Sequence, residues 1–306
     1  MGKIAFVFAG QGAQHTGMGK EISENVSAAA EIFAKADSVR PGTSQQCFEG
    51  SSELLAETKN TQPCIYTVDM AMAAALEANG VKADMAAGYS LGELAALAYA
   101  GSFSFEDGLG LVSQRGAIMQ KASESCDSGM MAVLKLSDEK IEELSSKYTK
   151  VYPVNFNCNG QVTVAGDRAQ LDQFKDDVKE AKGLVRILEV SGGFHSPFMS
   201  DAAEAFKTVL EGADIKDANI PVYSNWTAKP YEGDYKKALE MQIANPIRWK
   251  NIIEDMIENG ADTFIELGPG TALTKMITRI SKKVRMFNVK DMESLELTLK
   301  GVKENA

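Results

Sequence analysis

Ser90 stands in Gly88-Tyr89-Ser90-Leu91-Gly92, with the apolar Met85-Ala86-Ala87 before it. Leu91, Leu94, Ala95 and Ala98 follow at helical spacing. This is the G-x-S-x-G pattern at a strand-to-helix junction. A serine nucleophile wants that setting. A tight turn lifts its hydroxyl above the sheet, and the helix that follows offers backbone N–H groups to a developing oxyanion. Five residues alone recur by coincidence, and an ordinary βα loop with a capping serine reads the same way. A base decides between the two. The chain has two histidines, His15 and His195. His195 sits in Gly192-Gly193-Phe194-His195-Ser196-Pro197, a loop leaving a strand candidate, where α/β proteins place function. We assign it as the base and leave His15 as an ordinary imidazole.

Arg115 has Leu111, Val112, Ile118 and Met119 as its neighbours three and four residues away, so it lies on an apolar helix face. Such an arginine snorkels outward, meets an internal carboxylate, or faces a carboxylate on a substrate. Guanidinium matches a carboxylate with two parallel hydrogen bonds, which lysine cannot copy. Gly10-Gln11-Gly12-Ala13-Gln14 follows the first apolar run directly. A dinucleotide fingerprint would need glycine where His15 stands. The alternative is a flexible turn that brings a backbone N–H toward Ser90, and a plain βα turn is not rejected by spacing.

The elements that must hold these residues alternate as in an α/β protein. Ile4–Phe8 reads as a strand covered on both faces. Thr61 and Pro63 open a helix that Gly80 stops, with Ile65, Val68, Met72 and Leu76 on one face. A second helix starts at Ser104, with Asp107 as a variant capping box, and runs to about Lys121. From there 130–136 is a strand, 138–147 a helix, 151–156 and 161–165 strands joined by a turn of Asn157, Asn159 and Gly160, 171–181 a helix and 184–190 a strand. This β-α-β-β-α-β order is ferredoxin-like. Further strands are expected at 220–223, 263–267 and 284–289, with helices at 252–257 and 273–280 and a sharp turn at Gly268-Pro269-Gly270. The expected fold is α/β: a hydrolase-like core with a short parallel sheet flanked by helices, formed by 1–126 and 191–306, carrying an inserted ferredoxin-like subdomain at 127–190.

Composition is that of a globular protein of 306 residues. A net charge of −10 argues against attraction to nucleic acid or an anionic membrane. No apolar run approaches membrane-spanning length, and the N-terminal run reads as a buried strand and not as a signal peptide. Cys47, Cys64, Cys126 and Cys158 are scattered without metal-ligand spacing. They are expected as small buried residues of a cytoplasmic protein. No residue pattern calls for a metal or a redox cofactor.

Taken together the motifs resemble bacterial malonyl-CoA:acyl carrier protein transacylase along essentially the whole chain. The anchors are 8–14 (FAGQGAQ), 88–93 (GYSLGE), 114–116 (QRG), 193–197 (GFHSP) with Met199, 242–249 (QIANPIRW) and 266–270 (ELGPG). The resemblance implies that Ser90 is malonylated and that His195 is its base and later the acid for the leaving thiol. It implies backbone N–H donors of an oxyanion hole at Gln11 and Leu91, a carboxylate clamp at Arg115, and a main-chain carbonyl of Gln242 that orients His195. Asn155 and Asn157 fall where the family has asparagines near the coenzyme. Tyr89 replaces a histidine that is usual in the family, which bears on the packing of the elbow. The Phe194-His195 pair resembles the malonyl-selective type. The implied activity is transfer of malonyl from malonyl-CoA, a substrate, to the holo form of acyl carrier protein in fatty acid biosynthesis. The carrier is expected to be acidic, and Lys275, Arg279, Lys282 and Lys283, with Lys182 and Arg186, are candidates to meet it or simply a solvated basic face. A hydrolase with the same serine and histidine, and a noncatalytic carrier-binding subunit, are the competing readings.

Overall fold

β1 (Lys3–Phe8) is buried from Ile4 onward and pairs in parallel with β2 (Met85–Gly88). The computed structural model that shows this describes residues 2–304. β3 (Ser128–Leu134), β4 (Val151–Cys158), β5 (Gln161–Asp167) and β6 (Leu184–Leu188) form a separate antiparallel sheet in the order β4-β5-β3-β6. β7 (Val222–Tyr223), β8 (Ala261–Leu267) and β9 (Arg285–Val289) complete the first sheet. Its order is β7-β2-β1-β8-β9, with every pairing parallel. The protein is therefore an α/β fold with a parallel sheet flanked by helices.

The chain runs outward from β1 through β2 to β7 on one side, and through β8 to β9 on the other. The order reverses at β1, and open α/β sheets bind ligands beyond the carboxyl ends of the strands at such a point. The turns after β1, β2 and β8 carry Gln11, Ser90 and Gly268.

Several expected boundaries move. The long helix begins not at Thr61 but at Thr58 and runs to Ala78, with Pro63 inside it. Thr61 does not cap; its hydroxyl donates to the carbonyl of Leu55 at 2.6 Å. The orphan N–H at the true start, Thr58, is capped by Gln120 Oε1 at 2.8 Å. Gln120 belongs to the neighbouring helix Phe105–Glu124, so no local pattern announces that start. That second helix does begin after Ser104, whose hydroxyl accepts from the N–H of Asp107, and it runs three residues past Lys121. Asn157 lies in β4 and not in the turn, because only Asn159 and Gly160 (φ 68°) separate β4 from β5. The strand expected at 220–223 keeps only the two residues of β7. Cys126 is half-buried, unlike the other three cysteines.

Candidate active site

β2 ends at Gly88, and two residues later Ser90 adopts a φ of 54° before the helix Gly92–Tyr99 begins. Non-glycine residues rarely take that conformation, and strain of this kind clusters at functional sites. The flanking glycines are required by closeness. A Cβ on Gly88 would lie 1.9 Å from the backbone of Gly92, and one on Gly92 would lie 2.4 Å from the carbonyl oxygen of Phe8. The turn after β1 is pressed against the same elbow: a Cβ on Gly10 would lie 2.5 Å from the carbonyl of Tyr89.

Ser90 Oγ lies 2.8 Å from His195 Nε2. The imidazole is buried, and its Nδ1 lies 2.9 Å from the main-chain carbonyl of Gln242. A carbonyl only accepts, so Nδ1 carries the proton and Nε2 presents its lone pair to the serine hydroxyl. Gln242 falls in the last turn of the helix Tyr235–Ala244, where carbonyls lack intrahelical partners. Burial, reinforced by the positive charge of Arg115, pushes the pKa of His195 down to about 3. The base is therefore neutral and available near neutral pH.

Arg115 is 1 % exposed and faces the nucleophile. Nη2 donates to Ser90 Oγ at 3.2 Å and to Gln242 Oε1 at 2.7 Å, while Nη1 donates to Gln62 Oε1 at 2.7 Å. Among the described residues no carboxylate is bonded to it; its protein partners are neutral amides and the serine. Burial lowers its pKa to about 10, which leaves it charged near neutrality.

Gln11, Ser90, Leu91, Arg115 and His195 line one cleft of about 260 Å³, together with Asn155 and Asn157 from the second sheet. The side chain of Gln11 donates to Thr58 Oγ1 at 3.2 Å. Asn155 and Asn157 both bond Tyr89, and Asn157 Nδ2 donates to Thr163 Oγ1 at 3.2 Å. Asn155 Nδ2 donates to the Tyr89 hydroxyl and that hydroxyl donates to Asn157 Oδ1, each at 2.6 Å. The ring of Tyr89 stands edge-on to Trp249 at 5.5 Å. Tyr89 thus fastens the elbow to β4. His15 is exposed, outside the cleft, near the carbonyl of Ala13.

Gln62, Glu93 and Asn225 were not assigned from sequence. The Ser90 N–H donates to Asn225 Oδ1 at 2.8 Å, and Asn225 Nδ2 donates to the carbonyl of Gly88 at 2.7 Å. Gln62 and Asn225 have no local signal. Glu93 had one: it is a carboxylate in an otherwise apolar helix, and it is fully buried. Lys182, Arg186, Lys275, Arg279, Lys282 and Lys283 are all exposed. Arg279 donates to Gln161, which lines the cleft, at 2.9 Å. Among the described residues no group of His, Cys, Asp and Glu side chains is placed to hold a metal ion, and no helix is long and apolar enough to cross a membrane.

The family described as acyl transferase domain matches residues 5–305. The chain is 38 % identical to the malonyl CoA-acyl carrier protein transacylase of Bacillus subtilis, over 99 % of this chain and 98 % of that protein. It is 35 % identical to the protein of the same name from Staphylococcus aureus, over the full length of both. The crystal structure of the Clostridium perfringens malonyl CoA-acyl carrier protein transacylase superposes with a TM-score of 0.96 at 39 % identity, covering 99 % of this chain and 98 % of that one. A malonyl-transacylase solved in complex with its type II PKS acyl-carrier protein superposes at 0.94 with 32 % identity, covering 98 % and 99 %.

Proposed function

The chain belongs to the malonyl-CoA:acyl carrier protein transacylases, and from that premise we propose that it transfers malonyl from coenzyme A to the phosphopantetheine thiol of holo acyl carrier protein through an ester on Ser90. The observation that carries the reading is one oxygen with two partners: Ser90 Oγ, 2.8 Å from a neutral imidazole nitrogen and 3.2 Å from a buried guanidinium.

His195 Nε2 takes the Ser90 proton as Oγ attacks the thioester carbonyl. The oxyanion that forms is held by the backbone N–H groups of Gln11 and Leu91. The C–S bond breaks, the proton on His195 passes to the sulfur, and coenzyme A leaves as the thiol. Arg115 holds the free carboxylate of malonyl throughout. The carrier thiol then gives its proton to His195 and attacks the ester carbonyl, the bond from that carbon to Ser90 Oγ breaks, and His195 returns the proton to Oγ. The ester splits one transfer between two bulky carriers into steps that each need one of them. The carbonyl of Gln242 orients His195 without a carboxylate third member. Asn155 and Asn157, which line the same cleft, are assigned to the coenzyme. The reaction so written assigns no role to a metal or cofactor.

The exposed cations Lys275, Arg279, Lys282, Lys283, Lys182 and Arg186 are the surface for an acidic carrier, and Arg279 reaches the cleft lining through Gln161. The antiparallel order β4-β5-β3-β6 supports reading 127–190 as a ferredoxin-like insert in a hydrolase-like domain of 1–126 and 191–306. The role is the supply of malonyl-carrier for fatty acid synthesis in the cytoplasm. Mixing the enzyme with malonyl-CoA and holo carrier tests the transfer. Malonyl-carrier as the main product supports it; free malonate as the main product makes the protein a hydrolase.

A further inference from the structure

Glu93 is three residues after the nucleophile and wholly inside the protein. Its Oε2 accepts from the Asn225 N–H at 3.1 Å and from Gln242 Nε2 at 2.9 Å, and its Oε1 accepts from the Tyr231 hydroxyl. Each of these donors leads back to the reacting groups. Gln242 touches three of them at once: Nε2 donates to the Ser90 carbonyl at 2.7 Å, Oε1 accepts from Arg115, and its own carbonyl faces His195 Nδ1. Asn225 holds the elbow at the Ser90 N–H and the Gly88 carbonyl.

The donors and acceptors allow one arrangement of this network. Arginine cannot accept, so Gln242 must turn Oε1 toward Arg115. Its NH2 group then faces two acceptors, Ser90 O and Glu93 Oε2. A residue at 93 that offered N–H at that point would meet two donors, Gln242 Nε2 and the Asn225 N–H. A carboxylate accepts from both at Oε2 and keeps Oε1 for the Tyr231 hydroxyl, so all three donors meet an acceptor whichever way the group is turned. It is also the negative charge that faces Arg115, across one amide.

The geometry points to Glu93 as the positioning residue of the site: through Gln242 and Asn225 its ionised carboxylate fixes Ser90, His195 and Arg115 together and balances the buried guanidinium. The inference rests on transfer through Ser90. Its consequence is a pH dependence that His195 does not supply. Burial raises the pKa of Glu93 to about 7, against the opposing pull of Tyr231, Gln242, Asn225 and Arg115. The other titratable groups around it keep their state near neutrality. Arg115, on the helix Phe105–Glu124, stays charged; Tyr231, in the loop after β7, is held far up by burial; His195 stays neutral. Protonation of Glu93 as the pH falls removes the counter-charge and weakens both N–H···O bonds, so kcat/KM falls with it.

The test is the pH profile of malonyl transfer from malonyl-CoA to holo carrier between about pH 5.5 and about 8.5. The wild type is expected to lose activity on the acid side with a midpoint near that of Glu93. Glu93→Gln is expected to be about 10- to 100-fold slower and to have no such limb. Tyr231→Phe removes a bond that favours the ionised carboxylate, so its limb moves to higher pH; this variant decides the matter if Glu93→Gln does not fold. A Glu93→Gln enzyme with the wild-type limb, a Tyr231→Phe limb that stays or moves down, or a wild type without an acid limb overturns the inference. Acylation of wild-type Ser90 by malonyl-CoA at about pH 8 separates the two readings. Its absence removes the transfer itself, whereas its presence with unchanged profiles removes only the role of Glu93.

Discussion

Arg115→Ala removes the guanidinium that stands 3.2 Å from Ser90 Oγ and leaves the dyad of Ser90 and His195 in place. A malonyl carboxylate held in two parallel bonds loses two charge-assisted hydrogen bonds, each worth about 1.5–3 kcal/mol. The loss of about 3–6 kcal/mol corresponds to about 10²- to 10⁴-fold in kcat/KM for malonyl. An acetyl thioester has no carboxylate to lose. It feels the loss of the bond to Ser90 Oγ and the disturbance of Gln62 and Gln242, whose Oε1 atoms each lose a buried donor. About 1–2 kcal/mol, or roughly tenfold, is expected there. The assay is the initial rate of transfer to holo carrier from malonyl-CoA and from acetyl-CoA, with wild type and variant side by side. Selectivity for malonyl over acetyl should collapse by at least about tenfold. Equal losses with the two donors would refute the clamp and make Arg115 a structural support for Gln62 and Gln242.

Gly88→Ala places a Cβ 1.9 Å from the Gly92 backbone, so a loss of about 4 kcal/mol or more is expected, read as a large fall in Tm with no acylated protein. Tyr89→Phe strips the hydroxyl between Asn155 and Asn157 and should cost about 1–3 kcal/mol in urea unfolding; a change under about 0.5 kcal/mol contradicts a fastening role. His195 is held at about 3 in the folded protein against an ordinary 6.5, so its contribution to stability is present above about pH 6.5 and lost as the pH falls toward 3. His195→Gln should remove that part of the acid slope, and equal acid slopes in urea midpoints for the two proteins would show that the imidazole is not so depressed.

Ser90 and His195 were legible as candidates because their signals are local: two glycines bracketing a serine at a strand-to-helix junction, and a histidine in a glycine-flanked loop. Arg115 was legible from helical spacing, although spacing alone left its partner open. The support of His195 by Gln242 was not derivable from the residues, since any side chain carries a carbonyl; only the resemblance pointed to it. Gln62, Asn225 and Tyr231 reach the site through space from separate elements, and no periodicity marks such pairs. The same limit governs the fold. Ser104 announces its helix because its cap is three residues away, whereas the helix at Thr58 is capped from Gln120 and its start was misplaced. The pattern of β-α-β-β-α-β elements was readable at 127–190 because alternation and turn residues are local, whereas the order β7-β2-β1-β8-β9 depends on contacts between distant segments.

The most direct measurement is the intact mass of the protein after brief exposure to malonyl-CoA without carrier, followed by peptide mapping. One malonyl group, carried on the peptide that contains Ser90, lost on addition of holo carrier and absent from Ser90→Ala, is the result expected. A mass unchanged by malonyl-CoA, or an acyl group on a different residue, would contradict covalent transfer through Ser90.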